Sequence, residues 1–305
     1  MPTTARSHPL RRRHALTTVA AASALALALT SCATEGDEGS TETEREAYRI
    51  GVVGENETHR LLAQLAEEEL GHEVELVNFT DYNQPNPALS SGDLDANWFQ
   101  HIAYLADYNV ASGDDLTPVG PTEIVPLSLY SEEYDSVEDF QEGDEIAVPN
   151  DAVNQGRAIN VLALAGLVEL TGDSPQPQPR DVDEDASTVT VTPLSAEQTV
   201  NALQSVQGSV INNSFLNDAG IDPTSALFGD DPEDPAAFPF VNAFVVRDED
   251  RDDEALAAIA ALYHDERVLE IASELSEGTS VPADVDVEEL RTALAEYEAA
   301  IGDGA

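Results

Sequence analysis

The chain has 305 residues but no lysine, one cysteine (Cys32), one tryptophan (Trp98) and one methionine, its first residue. A lone cysteine excludes an internal disulfide, so any fold must stand on its apolar core. All 13 basic residues are arginines, against 60 Asp and Glu, for a net charge of −47. Phosphate binding needs a basic patch, so nucleic acid is excluded as a partner. Self-repulsion on this scale disfavours a compact state unless salt screens it. The simplest account is a protein that works in high salt. An acidic cation-binding surface fits less well, because the acids are spread along the whole chain. The hydrophobic fraction of 42% separates the chain from disordered acidic segments. Catalytic signatures are missing too. There is no Gly-x-Ser-x-Gly elbow and no Walker-type phosphate loop, and His59, His72, His101 and His264 lack metal-ligand spacing. No nucleophile or acid–base pair can be named, which argues against an enzyme and for no metal or cofactor.

What is present begins at the N-terminus. Arg11-Arg12-Arg13 precede an apolar run from Ala15 to Leu29, and small residues follow. That order reads as a secretory signal peptide over residues 1–31. The run is about 15 residues, short of the roughly 20 that a spanning helix needs. The ending Leu29-Thr30-Ser31-Cys32 resembles a bacterial lipobox. It implies cleavage before Cys32, lipidation of its thiol and attachment to the outer face of a membrane. Arg12-Arg13 leaves the general secretory and twin-arginine routes both open. Residues 32–47, rich in Thr, Glu, Gly and Ser, read as a charged tether.

From Tyr48 on, strand and helix signals alternate. Tyr48–Val53, Val74–Phe79, Val125–Tyr130, Glu145–Val148, Thr188–Val191, Gly208–Ile211 and Phe240–Val246 read as strands. Glu57–Leu70, Phe99–Tyr108, Asn154–Leu170, Ala196–Leu203, Ala255–Leu275 and Val287–Ile301 read as helices. Asp81–Asn86 is turn-like, and Asp173–Arg180 and Gly229–Ala236 are loops. The alternation argues an α/β fold of sheets covered by helices.

Arg157 is the only basic residue between Arg60 and Arg180, and it lies where a strand passes into an apolar helix. A helix N-terminus with a guanidinium beside it makes a carboxylate site. Asn154 is a candidate N-cap there, and Gly156 would let a ligand approach the backbone. A structural salt bridge to one of the many acids is the other reading of Arg157. A second constellation gathers Tyr82, Trp98, Phe99 and His101, an aromatic wall beside a histidine. It suits a small ligand with an apolar, even thioether, tail. Trp98 and Phe99 as plain core and His101 as a satisfied histidine is the alternative. Asn212 and Asn242 stand at strand ends, where an Asn can cap a helix or accept from an ammonium group.

These residues resemble the methionine-binding lipoproteins of ABC importers, the MetQ/NlpA family of substrate-binding proteins. The likeness is carried by Asp81-Tyr82, Pro85-Asn86-Pro87-Ala88-Leu89, Gly92-Asp93-Leu94-Asp95-Ala96-Asn97, Phe99-Gln100-His101 and Tyr104-Leu105. It continues in Val148-Pro149-Asn150-Asp151, Asn154, Gly156-Arg157, Val210-Ile211-Asn212 and Phe240-Val241-Asn242. The resemblance implies a two-lobed, type II-like periplasmic-binding-protein clamp, each lobe a sheet flanked by helices. Lobe 1 would be 48–124 plus 238–305, and lobe 2 would be 125–237. It also implies that Arg157 pairs with the ligand carboxylate and that Asn212 and Asn242 hydrogen-bond its polar head. Tyr82 and Phe99 would line the side-chain pocket, with His101 inside it. The implied partners are an amino acid, methionine first, and an ABC permease with its ATPase. Two departures stand out. Val125 occupies a position where the family often has Tyr, which would loosen the pocket, and the tail from Val281 is long. A receptor for another amino acid or a dipeptide, and an adhesion or structural lipoprotein without a small ligand, are the competing functions.

Overall fold

The computed structural model describes residues 47–303. The expected signal peptide, Cys32 and all of the expected tether but Ala47 lie outside them. The strands are β1 (Tyr48–Val53), β2 (Val74–Phe79), β3 (Ala96–His101), β4 (Thr117–Ile124), β5 (Ser128–Tyr130), β6 (Asp144–Pro149), β7 (Val189–Leu194), β8 (Gly208–Ile211), β9 (Phe228–Gly229), β10 (Val241–Val246) and β11 (Val281–Pro282). They form two sheets, in the orders β11-β4-β10-β3-β1-β2 and β7-β6-β8-β5-β9. In each sheet a parallel group is joined to antiparallel strands: β2-β1-β3 to β10 in the first, β7-β6-β8 to β5 in the second. The chain passes between the sheets after Ile124 and again between Gly229 and Val241. The molecule is thus α/β and two-lobed.

β10 shows why its sequence is apolar throughout rather than alternating. Side chains of successive strand residues point to opposite faces. Phe244 and Val246 enter one cluster with Ile50, Leu62 and Tyr263, while Val241, Ala243 and Val245 enter another with Leu105 and Leu290. A strand covered by helices on both faces has no solvated side to make polar. The second sheet is treated alike, with Ile146, Val148, Ile159 and Val189 on one face and Tyr130, Ile211 and Leu216 on the other.

Several elements differ from the sequence expectation. The segment from Phe99 is strand through His101, and the helix is Ile102–Ser112. Local spacing favoured a helix, but Ala96–His101 fills the gap between β1 and β10. A buried amide network pins it there: Asn86 Nδ2 donates to Gln100 Oε1 (2.8 Å), and Asn97 Nδ2 and Gln100 Nε2 donate to Asn86 Oδ1 (2.8 and 2.6 Å). Ala255–Leu275 is two helices, Glu254–Ala261 and Glu266–Leu275, because Asp265 caps the second through the Arg267 amide. Pro85–Ser90, whose first two residues fall in the expected Asp81–Asn86 turn, is a helix with proline at its start, a position where the missing N–H costs nothing. The long tail adds β11 beside β4 and the helix Val287–Asp303, whose Leu290 and Leu294 join the first lobe's core.

Candidate functional site

A cleft of about 500 Å³, partly open to solvent, lies where the two sheets meet. Tyr82, Phe99, His101, Arg157, Asn212 and Asn242 all line it, together with Tyr104, Asn154, Ser214 and the first chain crossing, Val125-Pro126-Leu127. The six residues expected from sequence are therefore brought together. Trp98 is not among them. It stacks on Phe244 (centroids 4.7 Å apart) and meets His59 and Tyr263 edge-on, as core.

Each wall has a local cause. On β3 the register against β10 shifts, with Trp98 opposite Phe244 and Gln100 opposite Ala243, so Phe99 is the unpaired residue of a bulge and lies in the cavity wall while both neighbours are buried. His101 ends that strand and caps the next helix, its Nδ1 accepting the Tyr104 amide at 3.1 Å. That bond leaves the ring proton on Nε2, which donates to Asn154 Oδ1 at 3.3 Å. Burial, and then the nearby Arg157 charge, push His101 down to about 3, so the ring is neutral. Tyr82 packs against Phe99 and Phe215 (5.8 and 5.1 Å), and the Tyr104 hydroxyl donates to its carbonyl at 3.0 Å. Burial raises both phenols above their ordinary range.

The helix Ala152–Leu164 supplies the opposite wall. Its N-cap is Asp151, not Asn154: Asp151 Oδ1 accepts the Asn154 amide at 2.9 Å. A carboxylate three residues earlier satisfies the orphan N–H and frees the Asn154 side chain for the cavity. Gly156 is also explained differently. A β-carbon there would lie 3.0 Å from the Gln176 backbone, so the loop after the helix, not a ligand, makes the close approach.

Arg157 makes the structural salt bridge that is one of its two readings, and it also lines the cavity. Its Nε and Nη2 grip Asp230 (2.6 and 3.0 Å), Nη2 also donates to the Val125 carbonyl (2.8 Å), and the guanidinium lies 4.0 Å over the Phe240 ring. Nη1 takes part in none of these bonds. Asp230 is tied in turn to the Leu127 amide at 2.8 Å. Sequence reasoning missed Asp230, because 73 residues separate the pair and acids are everywhere in this composition. It also missed the cavity role of Asn154. Tyr104 had a signal, since it lies in the same aromatic stretch as Phe99 and His101.

The polar atoms form a chain with one direction. The Asp151 carboxylate accepts from Asn154 Nδ2 at 3.0 Å, so Asn154 must present Oδ1 to its other neighbours. His101 Nε2 and Asn212 Nδ2 (3.2 Å) both donate to that oxygen. Asn212 is thereby turned so that its Oδ1 faces away from Asn154. That oxygen is buried and has no hydrogen-bond partner among the described residues. Asn242 spends its Nδ2 on the Glu123 and Phe240 carbonyls (3.3 and 3.4 Å).

Two α/β lobes joined by two crossings, with an aromatic and polar cavity at their junction, define a solute-binding protein of the clamp class. Residues 49–284 match the family model described as NlpA lipoprotein, and the chain belongs to that family. It is 34% identical over 272 residues to the D-methionine-binding lipoprotein MetQ of Escherichia coli (strain K12), covering 87% of this chain and 97% of that one. Outer membrane lipoprotein 3 of Mannheimia haemolytica is 32% identical over 240 residues, 77% of this chain and 90% of that one. A solved nutrient binding protein from Burkholderia cenocepacia bound to methionine superposes with a TM-score of 0.73. It shares 30% identity, with 78% of this chain and all of that one covered. The family consists of solute-binding proteins rather than enzymes. The helix beyond residue 284 lies outside the family match.

Proposed function

We propose that this chain is the lipid-anchored, extracytoplasmic binding protein of an ABC importer and that it holds an α-amino acid, methionine first, in the cavity between its lobes. Lobe 1 is 48–124 plus 238–305, and lobe 2 is 125–237. The observation that carries the reading is the orphaned Asn212 Oδ1 in the same cavity as Arg157. A buried acceptor without a donor costs about 1–3 kcal/mol, which a ligand ammonium group would recover. Arg157 Nη1 then takes the carboxylate, and Asn242 Oδ1 completes the polar end. Tyr82, Phe99 and Tyr104 surround an apolar side chain, and a thioether gains from contact with such rings. Neutral His101 adds a hydrogen-bonding edge without a charge.

A ligand touching both lobes favours their closure, and the closed form is what a permease and its ATPase would read. Lipid at Cys32 would keep the protein at the membrane surface. The MetQ relatives and the methionine-bound neighbour support the ligand class. The test is calorimetry on protein stripped of ligand by unfolding and refolding in high salt. The titrants are L-methionine, D-methionine, a methionyl dipeptide and glutamate. Saturable methionine binding at micromolar or lower concentration is expected. Binding of the dipeptide alone would move the ligand class, and silence across the panel would sink the receptor reading in favour of an adhesion or structural role.

A further inference from the structure

We infer that Gly54 is a positioning residue of this clamp. Its bare α-carbon lets the Ser214 backbone of the opposite lobe seat against it, and this contact outside the ligand cavity sets how far the lobes close and where Asn212 stands. The inference rests on the ligand-binding reading above.

Gly54 follows β1 with φ of 68°. A β-carbon there would meet the Ser214 carbonyl oxygen well inside 3.0 Å and the carbonyl carbon at 3.2 Å. Both are backbone atoms, so no side-chain rotation relieves the overlap. Neither side can retreat locally. The Glu55 amide donates to Asn78 Oδ1 at 3.1 Å, and Asn56 caps the helix Glu57–Leu65 while its own N–H donates to His59 Nδ1 at 3.0 Å. Across the gap, Ser214 lies in the single 3₁₀ turn Asn213–Phe215, which starts directly after Asn212. The Phe215 amide donates to the Asn212 carbonyl at 3.1 Å, the Ser214 side chain lies beside the Tyr82 phenol, and the Phe215 ring rests on Tyr82. This short turn therefore carries the orphan acceptor at one end and the cross-lobe contact in its middle. Pushing Ser214 away from Gly54 pulls Asn212 away from the ligand.

Positive φ by itself favours glycine, so the control is a glycine with the same backbone and no opposite lobe. Gly71 has φ of 73° and nothing within 4 Å of where a β-carbon would go. Gly71→Ala incurs the same conformational cost as Gly54→Ala without the cross-lobe overlap. Both variants of the full-length protein are titrated with L-methionine, and their unfolding is measured without ligand.

Gly54→Ala is expected to bind about tenfold or more weakly, mainly through faster dissociation, while Gly71→Ala stays within about twofold of the parent. The ligand-free unfolding midpoints should shift alike. Equal affinities for the two variants, with the parent binding normally, overturn this inference alone. A parent that does not bind methionine overturns the functional reading and this inference with it. A measurement without any variant is hydrogen exchange of the parent protein. Segments 53–56 and 213–216 should gain protection together on methionine addition, and no gain at 53–56 overturns the inference.

Discussion

In the proposed site Arg157 would serve two partners, Asp230 and the ligand carboxylate, and replacing it separates them. Its side chain is 6% exposed and that of Asp230 is 18% exposed, so the pair is largely desolvated. Arg157→Met removes both grips on Asp230 and leaves that carboxylate with the Leu127 amide as its remaining bond of this set. Stranding a fully buried charge costs about 3–5 kcal/mol, and the partial exposure of Asp230 puts the expected loss near the lower end, about 3 kcal/mol. That is a large share of the ~5–15 kcal/mol by which domains are stable. Adding Asp230→Asn removes the stranded charge and keeps an acceptor for Leu127. The double variant should therefore recover stability to within about 1 kcal/mol of the parent. Ligand affinity should not follow. Losing a charge-assisted bond to the ligand carboxylate costs about 1.5–3 kcal/mol, or roughly 10- to 150-fold in Kd. Urea unfolding without ligand gives the first quantity, and methionine calorimetry gives the second. If the double variant regains affinity along with stability, Arg157 is a structural residue and the carboxylate assignment is wrong.

Asn212→Ala should lower methionine affinity about tenfold while leaving the ligand-free melting temperature nearly unchanged, since removing the unpartnered acceptor offsets the lost Nδ2 bond to Asn154 Oδ1, which keeps His101 as a donor. A large loss of stability with intact affinity would contradict that. His101 titrates near 6.5 when unfolded and near 3 when folded, so between those values the unfolded state binds more protons. Stability must fall on acidification through that window, by up to about 1.4 kcal/mol per pH unit from this residue. His101→Gln should flatten the difference between urea unfolding at pH 7 and pH 5 by about 2 kcal/mol, and parallel profiles would refute the buried neutral ring. With a net charge of −47, raising KCl from 0.1 M to 2 M should raise the melting temperature, and insensitivity to salt would remove the high-salt account.

Much was legible in the sequence because it depends on composition and local order. The charge excess, the lone Cys32 after its apolar run, and the α/β alternation need no third dimension. The stretch Asp81–His101 and the pair Gly156-Arg157 carry the family likeness, and the residues expected at the site do stand around one cavity. Local order failed where tertiary context overrides it. Phe99–His101, read as the start of a helix running to Tyr108, is instead the end of a strand, because β1 and β10 flank it and the Asn86 network holds it there. Trp98, adjacent to Phe99 in sequence, stacks on Phe244 and belongs to the core, because the register shift beside it leaves Phe99 rather than Trp98 at the cavity. Only the folded chain could pair Arg157 with Asp230, orient the amides from Asp151 through Asn154 to Asn212, or lay Ser214 on Gly54. Sequence dictates which groups can donate and accept. Which of them meet is decided by how two distant segments cross between the lobes, and that direction of packing leaves Asn212 Oδ1 without a partner among the described residues.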